Sequence, residues 1–401
     1  MRHKARHTRL ISCAAIVWTL IVLVQARGTT QGSPGFPGGP LPGITNLEFS
    51  EFRLGVDDFM EVKTAEEGLG PAFNGTSCAV CHNLPSIGGG GVILEVRAGY
   101  RDALGGADGL NPAGDTLIHM LSTPSHSCQP SIPEDANVIA HRAPIPLFGA
   151  GLVEAIPDET ILALADPDDR NRDGVSGRAG IVVDVATGGT RVGRFGWKSQ
   201  HATLLAFGAD AYRNEMGITN ELFPNEFSFG ISAAQMKLCD PLPDPEDRRD
   251  PVTRRRGIDN FESFMKFLAP VARSHADEQT REGERVFSAI GCATCHVPAL
   301  DTGASAHPAF HRKRVELFSD LLLHDVGTSD DIRQGGAAAD ELRTPALWGL
   351  RFRRPLLHDG SAATITDAIE RHAGEAALAR RGFGQLPAQT KDTLLAFLRS
   401  L

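Results

Sequence analysis

Two copies of one five-residue motif constrain this 401-residue chain more than any other feature. Residues 78–82 read Cys-Ala-Val-Cys-His, and residues 292–296 read Cys-Ala-Thr-Cys-His. Two thiols at this spacing can add to the two vinyl groups of one porphyrin, and the adjacent histidine then reaches the iron. The repeated motif therefore predicts two covalently bound haem c groups. The predicted attachment residues are Cys78, Cys81, Cys292 and Cys295, and the predicted iron ligands are His82 and His296.

A zinc site and a thioredoxin-like redox pair are the alternative interpretations of such cysteines. A zinc site does not require a histidine directly after the second cysteine, and here that histidine occurs twice. A redox pair is expected inside a βαβ pattern, which this sequence does not show. Haem attachment therefore explains the motifs better than either alternative.

The N-terminus has the pattern of an export signal. Residues 2–9 carry four basic side chains, residues 10–24 are mostly apolar, and Ala26 offers a small residue for cleavage. We expect a signal peptide over residues 1–26 and a periplasmic location, with a retained anchor that tethers the protein to the membrane as the alternative. Residues 27–46 are rich in glycine and proline, which predicts a loose linker.

Export also changes what the remaining cysteines indicate, because disulfides form in an oxidising compartment. Cys13 lies in the predicted signal, so Cys128 and Cys239 are the two cysteines left outside the haem motifs. We therefore expect a disulfide between them.

The net charge of −9 excludes one class of partner. A nucleic-acid-binding chain needs a basic face to neutralise phosphates, and this acidic composition provides no support for one. We expect no nucleic-acid partner.

The sequence around the second motif is typical of a small c-type cytochrome. Residues 281–290 form a short helical stretch with Gly283 and Phe287 four residues apart, which leads directly into the motif. At the C-terminus, Leu394 and Leu398 lie on one face of a predicted helix. We expect this helix to cross the first one closely at Gly283.

The two halves of the chain repeat beyond the motifs. Residues 141–149 and residues 342–349 share an Arg-x-Pro pattern followed by an aromatic residue and glycine, each downstream of its own motif. A duplicated haem domain explains this repeat. The sequence therefore predicts a mainly α, loop-rich fold with little β structure and two cytochrome c-like domains in tandem. We expect these domains at residues 47–250 and 251–401, with residues 254–269 as a connecting helix.

Six further segments carry a resemblance to a known family. They are Phe73–His82, Gly193–Lys198, Asn214–Gly217, Ser319–Gly327, Arg343–Gly349 and His358–Gly360. With these segments, residues 47–401 resemble the di-haem oxidoreductases related to bacterial di-haem cytochrome c peroxidases and to MauG. The resemblance implies a peroxidase that reduces hydrogen peroxide, or another small oxidant, at the N-terminal haem. Electrons would arrive through the C-terminal haem from a small redox protein or a quinol-linked donor.

The resemblance also implies roles for individual residues. Trp197 occupies the place of the tryptophan that relays electrons between the haems, and a core tryptophan is the alternative. Glu215 occupies the place of the acidic residue at the peroxide site, where a carboxyl group can move protons. An ordinary exposed glutamate is the alternative there.

His372 occupies the position of the sixth ligand of the C-terminal iron, where the peroxidases have methionine and MauG has tyrosine. A surface histidine after a helix is the alternative. His324 and His358 are then expected beside the haem. Arg142 and Arg343 suit haem propionates, and a fold-holding role is the equal alternative for them. The sixth ligand of the N-terminal iron stays open among His119, His126, His141 and His201.

Residues 169–177 place oxygen-bearing side chains at alternate positions and include a glycine, as in a calcium loop. Gly180 stands where a standard EF-hand has glutamate, so that motif is excluded. The sequence leaves calcium and a simple Asp/Asn/Gly turn as alternatives.

Two other functions remain open at this point. The chain would be a pure electron carrier if both irons had six ligands. It would be a MauG-like enzyme if it oxidised a partner protein.

The first prediction concerns covalent attachment. Thioether bonds survive acid-acetone extraction, so we expect the colour to stay with the protein after that treatment. The intact mass should exceed that of the mature polypeptide by two haem groups. The control is a Cys292→Ala, Cys295→Ala double variant, which should lose one of them. A wild-type mass without added haem, after expression with a working attachment system, would contradict the interpretation of both motifs.

Overall fold

The computed structural model describes residues 37–401 except 102, 104–106, 111–114, 124–127, 129, 130, 227–230, 241 and 275. The predicted signal peptide, the first ten residues of the predicted linker and His126 lie outside this part of the chain. In the described part, no helix combines the length and the apolar character that a membrane span requires.

Helices are the main regular elements of the described residues. They are α1 (Asn46–Met60), α2 (Ala150–Glu154), α3 (Asp158–Leu162), α4 (Leu204–Met216), α5 (Ala233–Cys239), α6 (Gly257–Phe267), α7 (Glu278–Ala289), α8 (Ile365–Arg371), α9 (Ala377–Gln385) and α10 (Ala388–Ser400). Several begin at a polar cap. Thr45 accepts the amide N–H of Glu48 at 3.2 Å, and the Glu48 carboxylate accepts the amide N–H of Thr45 at 2.6 Å. This capping box satisfies amide groups that the first turn of α1 would otherwise leave unpaired.

The strands are short and pair in antiparallel fashion. They are β1 (Ala72–Phe73), β2 (Glu95–Arg101), β3 (Ala107–Asp108), β4 (Leu117–Ile118), β5 (Leu121–Ser122), β6 (Val138–Arg142), β7 (Ile181–Val183), β8 (Thr190–Val192), β9 (Leu300–Asp301), β10 (Arg314–Val315), β11 (Leu323–His324) and β12 (Leu342–Arg343). Among them only β2, β3, β4 and β6 form a four-stranded sheet. The prediction of a mainly α, loop-rich fold with little β structure is therefore confirmed for the described residues.

Helix α7 crosses α10 at Gly283, as the sequence predicts. A Cβ atom on Gly283 would lie 2.3 Å from the carbonyl oxygen of Thr393 and 2.6 Å from the Cβ of Phe397. Only glycine therefore permits this approach of the two backbones. The rings of Phe287 and Phe397 then pack edge to face with centroids 5.3 Å apart.

The N-terminal half repeats this crossing with other residues. A Cβ atom on Gly55 of α1 would lie 2.4 Å from the carbonyl oxygen of Asn260 in α6. Four residues later, the ring of Phe59 packs on Phe264 with centroids 4.5 Å apart. Helix α6, which the sequence predicts as a connector, thus packs against the first helix of the N-terminal half.

The predicted disulfide is confirmed. Cys128 and Cys239 are bonded, and their Cα atoms lie 6.0 Å apart, which is a normal span for this bond. The bond ties α5 to the loop that follows β5.

The second prediction tests the glycine crossing. Gly283→Ala should destabilise the protein by about 1–3 kcal/mol, because the added methyl group must force α7 and α10 apart. Gly384→Ala is the control, since Gly384 lies in α9 with no atom within 4 Å of its added Cβ. That change should be neutral or stabilise by up to about 1 kcal/mol. Chemical denaturation of the haem-loaded proteins gives the free energy of unfolding of both variants. Equal denaturation midpoints in Gly283→Ala and Gly384→Ala would contradict the close crossing at Gly283.

Candidate functional site

The second motif opens into a cavity of ≈ 390 Å³. Its walls are largely apolar and include Phe287, Leu350 and Leu398. The side chains of His296 and His372 both line it, and so do the two motif cysteines. A cavity of this size and character suits a large apolar ligand held by a few polar groups.

His296 and His372 are held in the same way. Nδ1 of His296 lies 3.0 Å from the carbonyl oxygen of Phe318, and Nδ1 of His372 lies 2.6 Å from that of Ala368. Because a carbonyl oxygen only accepts, each Nδ1 carries the proton and each Nε2 keeps its lone pair. Burial lowers the pKa of His296 to about 4 and also lowers the pKa of His372. Both imidazoles are therefore neutral at pH 7 and able to bind a metal through Nε2.

His324 has a different environment. Its ring nitrogens lie 2.8 Å from a carboxylate oxygen of Asp320 and 2.7 Å from one of Glu375. Burial alone would lower the pKa of His324, but these partners raise it to about 12. The ring is therefore a cation at pH 7, and both of its nitrogens donate. This arrangement suits a group beside the cavity and not a metal ligand, in agreement with the sequence analysis.

Trp197, a residue of the N-terminal half, lines the cavity of the second motif. Its ring lines the cavity, and its indole N–H donates to the carbonyl oxygen of Ala143, directly after β6, at 2.9 Å. The guanidinium carbon of Arg353 lies 5.2 Å from the indole, and His358 meets the ring edge-on at 6.2 Å. Trp197 is thus both a packed core residue and a wall of the cavity.

Two arginines line the same cavity: Arg343, which is buried, and Arg353, which is partly buried. Arg343 donates to the carbonyl oxygens of Gly196 and Thr344, at 2.9 and 3.0 Å. Burial lowers the pKa of both Arg343 and Arg353 to about 10, which still leaves them charged at pH 7. The cavity wall is therefore positive, as an anionic group inside it would require.

The first motif has the same local geometry as the second. Each begins in a 3₁₀ turn, Cys78–Val80 and Cys292–Thr294. Nδ1 of His82 lies 2.9 Å from the carbonyl oxygen of Gly89, so His82 also presents its Nε2 lone pair. Burial lowers the pKa of His82, which keeps the ring neutral.

The motif cysteines are not activated thiols. Burial raises the pKa of Cys78, Cys81 and Cys292 to about 12 and raises that of Cys295. Redox-active pairs depend on a lowered thiol pKa. This chemistry opposes the thioredoxin-like alternative.

Glu215, at the end of α4, lies beside the first motif. Its carbonyl oxygen accepts the amide N–H of Asn74 at 2.7 Å, and its carboxylate accepts the side-chain N–H of Asn74 at 3.0 Å. Its carboxyl group is hydrogen-bonded to that of Glu95 and interacts electrostatically with Cys78 and Cys81. Burial and the neighbouring charge of Glu95 raise the pKa of Glu215 to about 8.

Glu95 and Arg97 are site residues that the sequence analysis missed. They stand two positions apart on β2, so their side chains share one face, and Arg97 donates to Glu95 at 2.7 and 3.0 Å. The available signal was the charged Glu-x-Arg pair at the start of β2.

The histidines considered for the N-terminal iron lie in separate environments. Nε2 of His119 lies 2.6 Å from the carbonyl oxygen of Asn214, and Nε2 of His201 lies 3.0 Å from Asp210. His141 is exposed on β6. An open coordination position at the N-terminal iron therefore stays a prediction.

A buried ion triad joins the two halves next to Trp197. Asp330 lies 2.6 Å from Nε of Arg142 and 3.1 Å from Nζ of Lys198, and all three side chains are at most 1 % exposed. Burial alone would raise the pKa of Asp330, but the two cations lower it to about 2. Arg142 thus has a carboxylate partner within the protein, which is a fold-holding role.

The predicted calcium loop is a network of side-chain turns. A carboxylate oxygen of Asp169 accepts the amide N–H of Gly174 at 3.2 Å, and Asp173 accepts that of Val175 at 2.9 Å. These bonds satisfy the loop without an ion. Calcium at this loop stays a prediction.

Comparison with known proteins gives one family. The family model described as "Di-haem oxidoreductase, putative peroxidase" matches residues 119–401. The match includes the second motif and Glu215 and begins after the first motif. No curated protein matches the chain.

Several solved structures are similar to the chain. The diheme peroxidase BthA from Burkholderia thailandensis is 15% identical over 88% of this chain and 86% of its own, with a TM-score of 0.42. A MauG-like protein associated with microbial copper homeostasis is 18% identical over 64% and 89%, with a TM-score of 0.31. Hydrazine synthase from Kuenenia stuttgartiensis is 14% identical over 97% and 100%, with a TM-score of 0.40.

The third prediction concerns His372. If its Nε2 binds the C-terminal iron, His372→Ala removes a strong-field ligand, and the protein should gain a high-spin absorption band and bind added imidazole. His372→Met should raise the reduction potential of one iron and leave the other nearly unchanged, because thioether favours ferrous iron.

The control for this prediction is His311→Ala, which removes an exposed histidine bonded to the carbonyl oxygen of Ser305. That variant should keep the wild-type spectrum and both potentials. An unchanged spectrum in His372→Ala would show that another group binds the iron.

Proposed function

The chain belongs to the di-haem oxidoreductase family, and we propose that it is an exported c-type cytochrome that reduces hydrogen peroxide. The reaction takes place at the N-terminal haem, and electrons arrive through the C-terminal haem. The single observation that carries this proposal is the asymmetry of the two sites. A second neutral histidine, His372, lies in the C-terminal cavity with His296, whereas a pair of carboxyl groups lies beside the N-terminal motif.

The residues present fit a haem at each motif. The motif thiols stay protonated at pH 7, which opposes disulfide exchange, and each motif histidine is neutral with Nε2 available. In the C-terminal cavity, Arg343 and Arg353 would face the anionic propionates. The iron of a bound haem supplies the redox chemistry, since it exchanges electrons with a donor and with peroxide.

Glu215 would carry the proton transfer. Peroxide cleavage needs a group that moves a proton from one oxygen to the departing one. The Glu215 carboxyl group lies beside the N-terminal motif and is oriented by the side chain of Asn74 at 3.0 Å. A carboxyl group held in this way can donate and accept at the same position.

Trp197 would connect the two sites. Trp197 belongs to the N-terminal half, its indole forms part of the C-terminal cavity wall, and its carbonyl oxygen accepts the amide N–H of Arg343 at 2.8 Å. The charge of Arg353 over the ring holds the indole in place. An aromatic ring in this position shortens the path for an electron between the halves.

An electron carrier without turnover is the main alternative function. Such a protein needs no carboxyl pair next to a haem motif, and burying one is costly. The Glu95–Glu215 pair therefore favours the enzyme. The electron donor that we propose is a small redox protein or a quinol-linked protein in the periplasm.

The fourth prediction tests the role of Glu215. Glu215→Gln should retain both haems, while peroxide reduction slows by about 10²-fold or more, because the amide cannot carry the proton. Stopped-flow mixing with hydrogen peroxide measures the rate.

The matched control is Glu262→Gln on α6, another glutamate whose pKa is raised by burial. It should react at the wild-type rate. Wild-type kinetics in Glu215→Gln would remove this residue from the mechanism.

A further inference from the structure

The hydrogen bond between Glu95 and Glu215 requires a proton. Ionised carboxylates only accept hydrogen bonds, so two carboxyl groups bond to each other only if one of them is protonated. In this pair the proton is shared between a residue of β2 and one at the end of α4. One of the two carboxyl groups therefore carries the proton, and the other is ionised.

Arg97 determines which of the two carboxyl groups carries the proton. It donates to both carboxylate oxygens of Glu95, at 2.7 and 3.0 Å, and is itself fixed by Thr116 at 2.8 Å. Arg142 lies opposite Glu95 in the β2–β6 register. Burial alone would raise the pKa of Glu95, but the charge of Arg97 lowers it. Glu95 is therefore ionised.

The groups around Glu215 favour its protonated form, in contrast to those around Glu95. It has one neutral donor, Asn74, and its charged neighbour is the Glu95 carboxylate. Burial and that like charge raise the pKa of Glu215 to about 8, against a smaller effect of Arg97. The other titratable or charged groups around the pair are Cys78, Cys81, His82, Arg142 and Asp210. At pH 7 the pair therefore holds one proton, and it is on Glu215.

We propose that Glu95 is a positioning residue that keeps Glu215 protonated at neutral pH, so that Glu215 donates its proton to peroxide before it accepts one. This inference rests on the proposed function and deepens it. It assigns Glu215 the role of a general acid at the start of each turnover, with Glu95 acting through it.

The proton movements balance. The O–H bond of Glu215 breaks, and its proton forms an O–H bond on the departing peroxide oxygen, which leaves as water. The carboxylate of Glu215 then takes the proton of the remaining peroxide oxygen, which restores the pair with its one proton. That oxygen takes up two electrons, together with two protons from solvent, and leaves as a second water, so each turnover consumes two electrons and two protons. The two electrons that the reduction consumes come from the electron donor of the proposed function.

The test begins with infrared spectroscopy of the haem-loaded protein across pH. The difference spectrum between the wild type and Glu215→Gln should show a protonated carboxyl band at pH 7 that disappears near pH 8. In Glu95→Gln the like charge is gone, so the midpoint of that band should fall by about one pH unit or more. Should the wild-type band be missing at pH 7, or its midpoint stay unchanged in Glu95→Gln, the proposal is overturned.

A pH profile of peroxide reduction gives the second readout. The alkaline limb of the wild-type profile should lie near pH 8 and should move to lower pH in Glu95→Gln, in step with the infrared midpoint. A merely structural role of Glu95 would lower the rate at every pH without moving the limb.

Asn74→Ala is the matched control, because Asn74 also forms one hydrogen bond to Glu215 but favours its ionised form. Its loss should move the infrared midpoint and the alkaline limb to higher pH, opposite to Glu95→Gln. Glu95→Asp keeps the charge and should keep the midpoint closer to that of the wild type. If the infrared midpoint lies near pH 8 but the protein does not reduce peroxide, the proton on the Glu95–Glu215 pair is supported. The proton donation to peroxide is then overturned together with the proposed function.

Discussion

One kind of hydrogen bond sets the chemistry of this protein. His82, His296 and His372 each donate Nδ1–H to a backbone carbonyl oxygen, at 2.6 to 3.0 Å. Each bond fixes the ring, selects the tautomer and leaves the Nε2 lone pair for a metal. The carbonyl groups of Gly89 and Phe318 lie in loops, and that of Ala368 lies in α8. The helices hold these loops in place by close crossings at Gly55 and Gly283.

The two sites differ in the groups that surround the motif histidine. At the C-terminal motif the cavity lining also includes another neutral histidine and two arginines, which suits an iron that passes electrons. At the N-terminal motif the neighbouring groups are Glu215 and Glu95, which suit proton transfer. Between them, Trp197 and the ion triad of Arg142, Asp330 and Lys198 connect residues of both halves. Similar motifs thus have surroundings with different chemistry.

The sequence predicted what depends on local chemistry. The motif residues, the crossing at Gly283 and the pairing of Cys128 with Cys239 all follow from residue type and spacing, and the family resemblance added His372 as a candidate ligand. The role of α6 was missed because a connecting helix and a packed helix have the same apolar pattern. Glu95 was missed because its partner Glu215 is far away in sequence, and only the fold brings a strand and a helix end together. The ion triad was missed for the same reason.

The central claim is that one iron has two histidine ligands and the other has an open position beside a carboxyl pair. Electron paramagnetic resonance of the fully oxidised wild-type protein tests it most directly, because spin state reports the ligands of each ferric iron. We expect one low-spin signal typical of a bis-histidine iron and one high-spin signal of equal intensity. Two low-spin signals, with no high-spin iron at neutral pH, would contradict the account and favour an electron carrier.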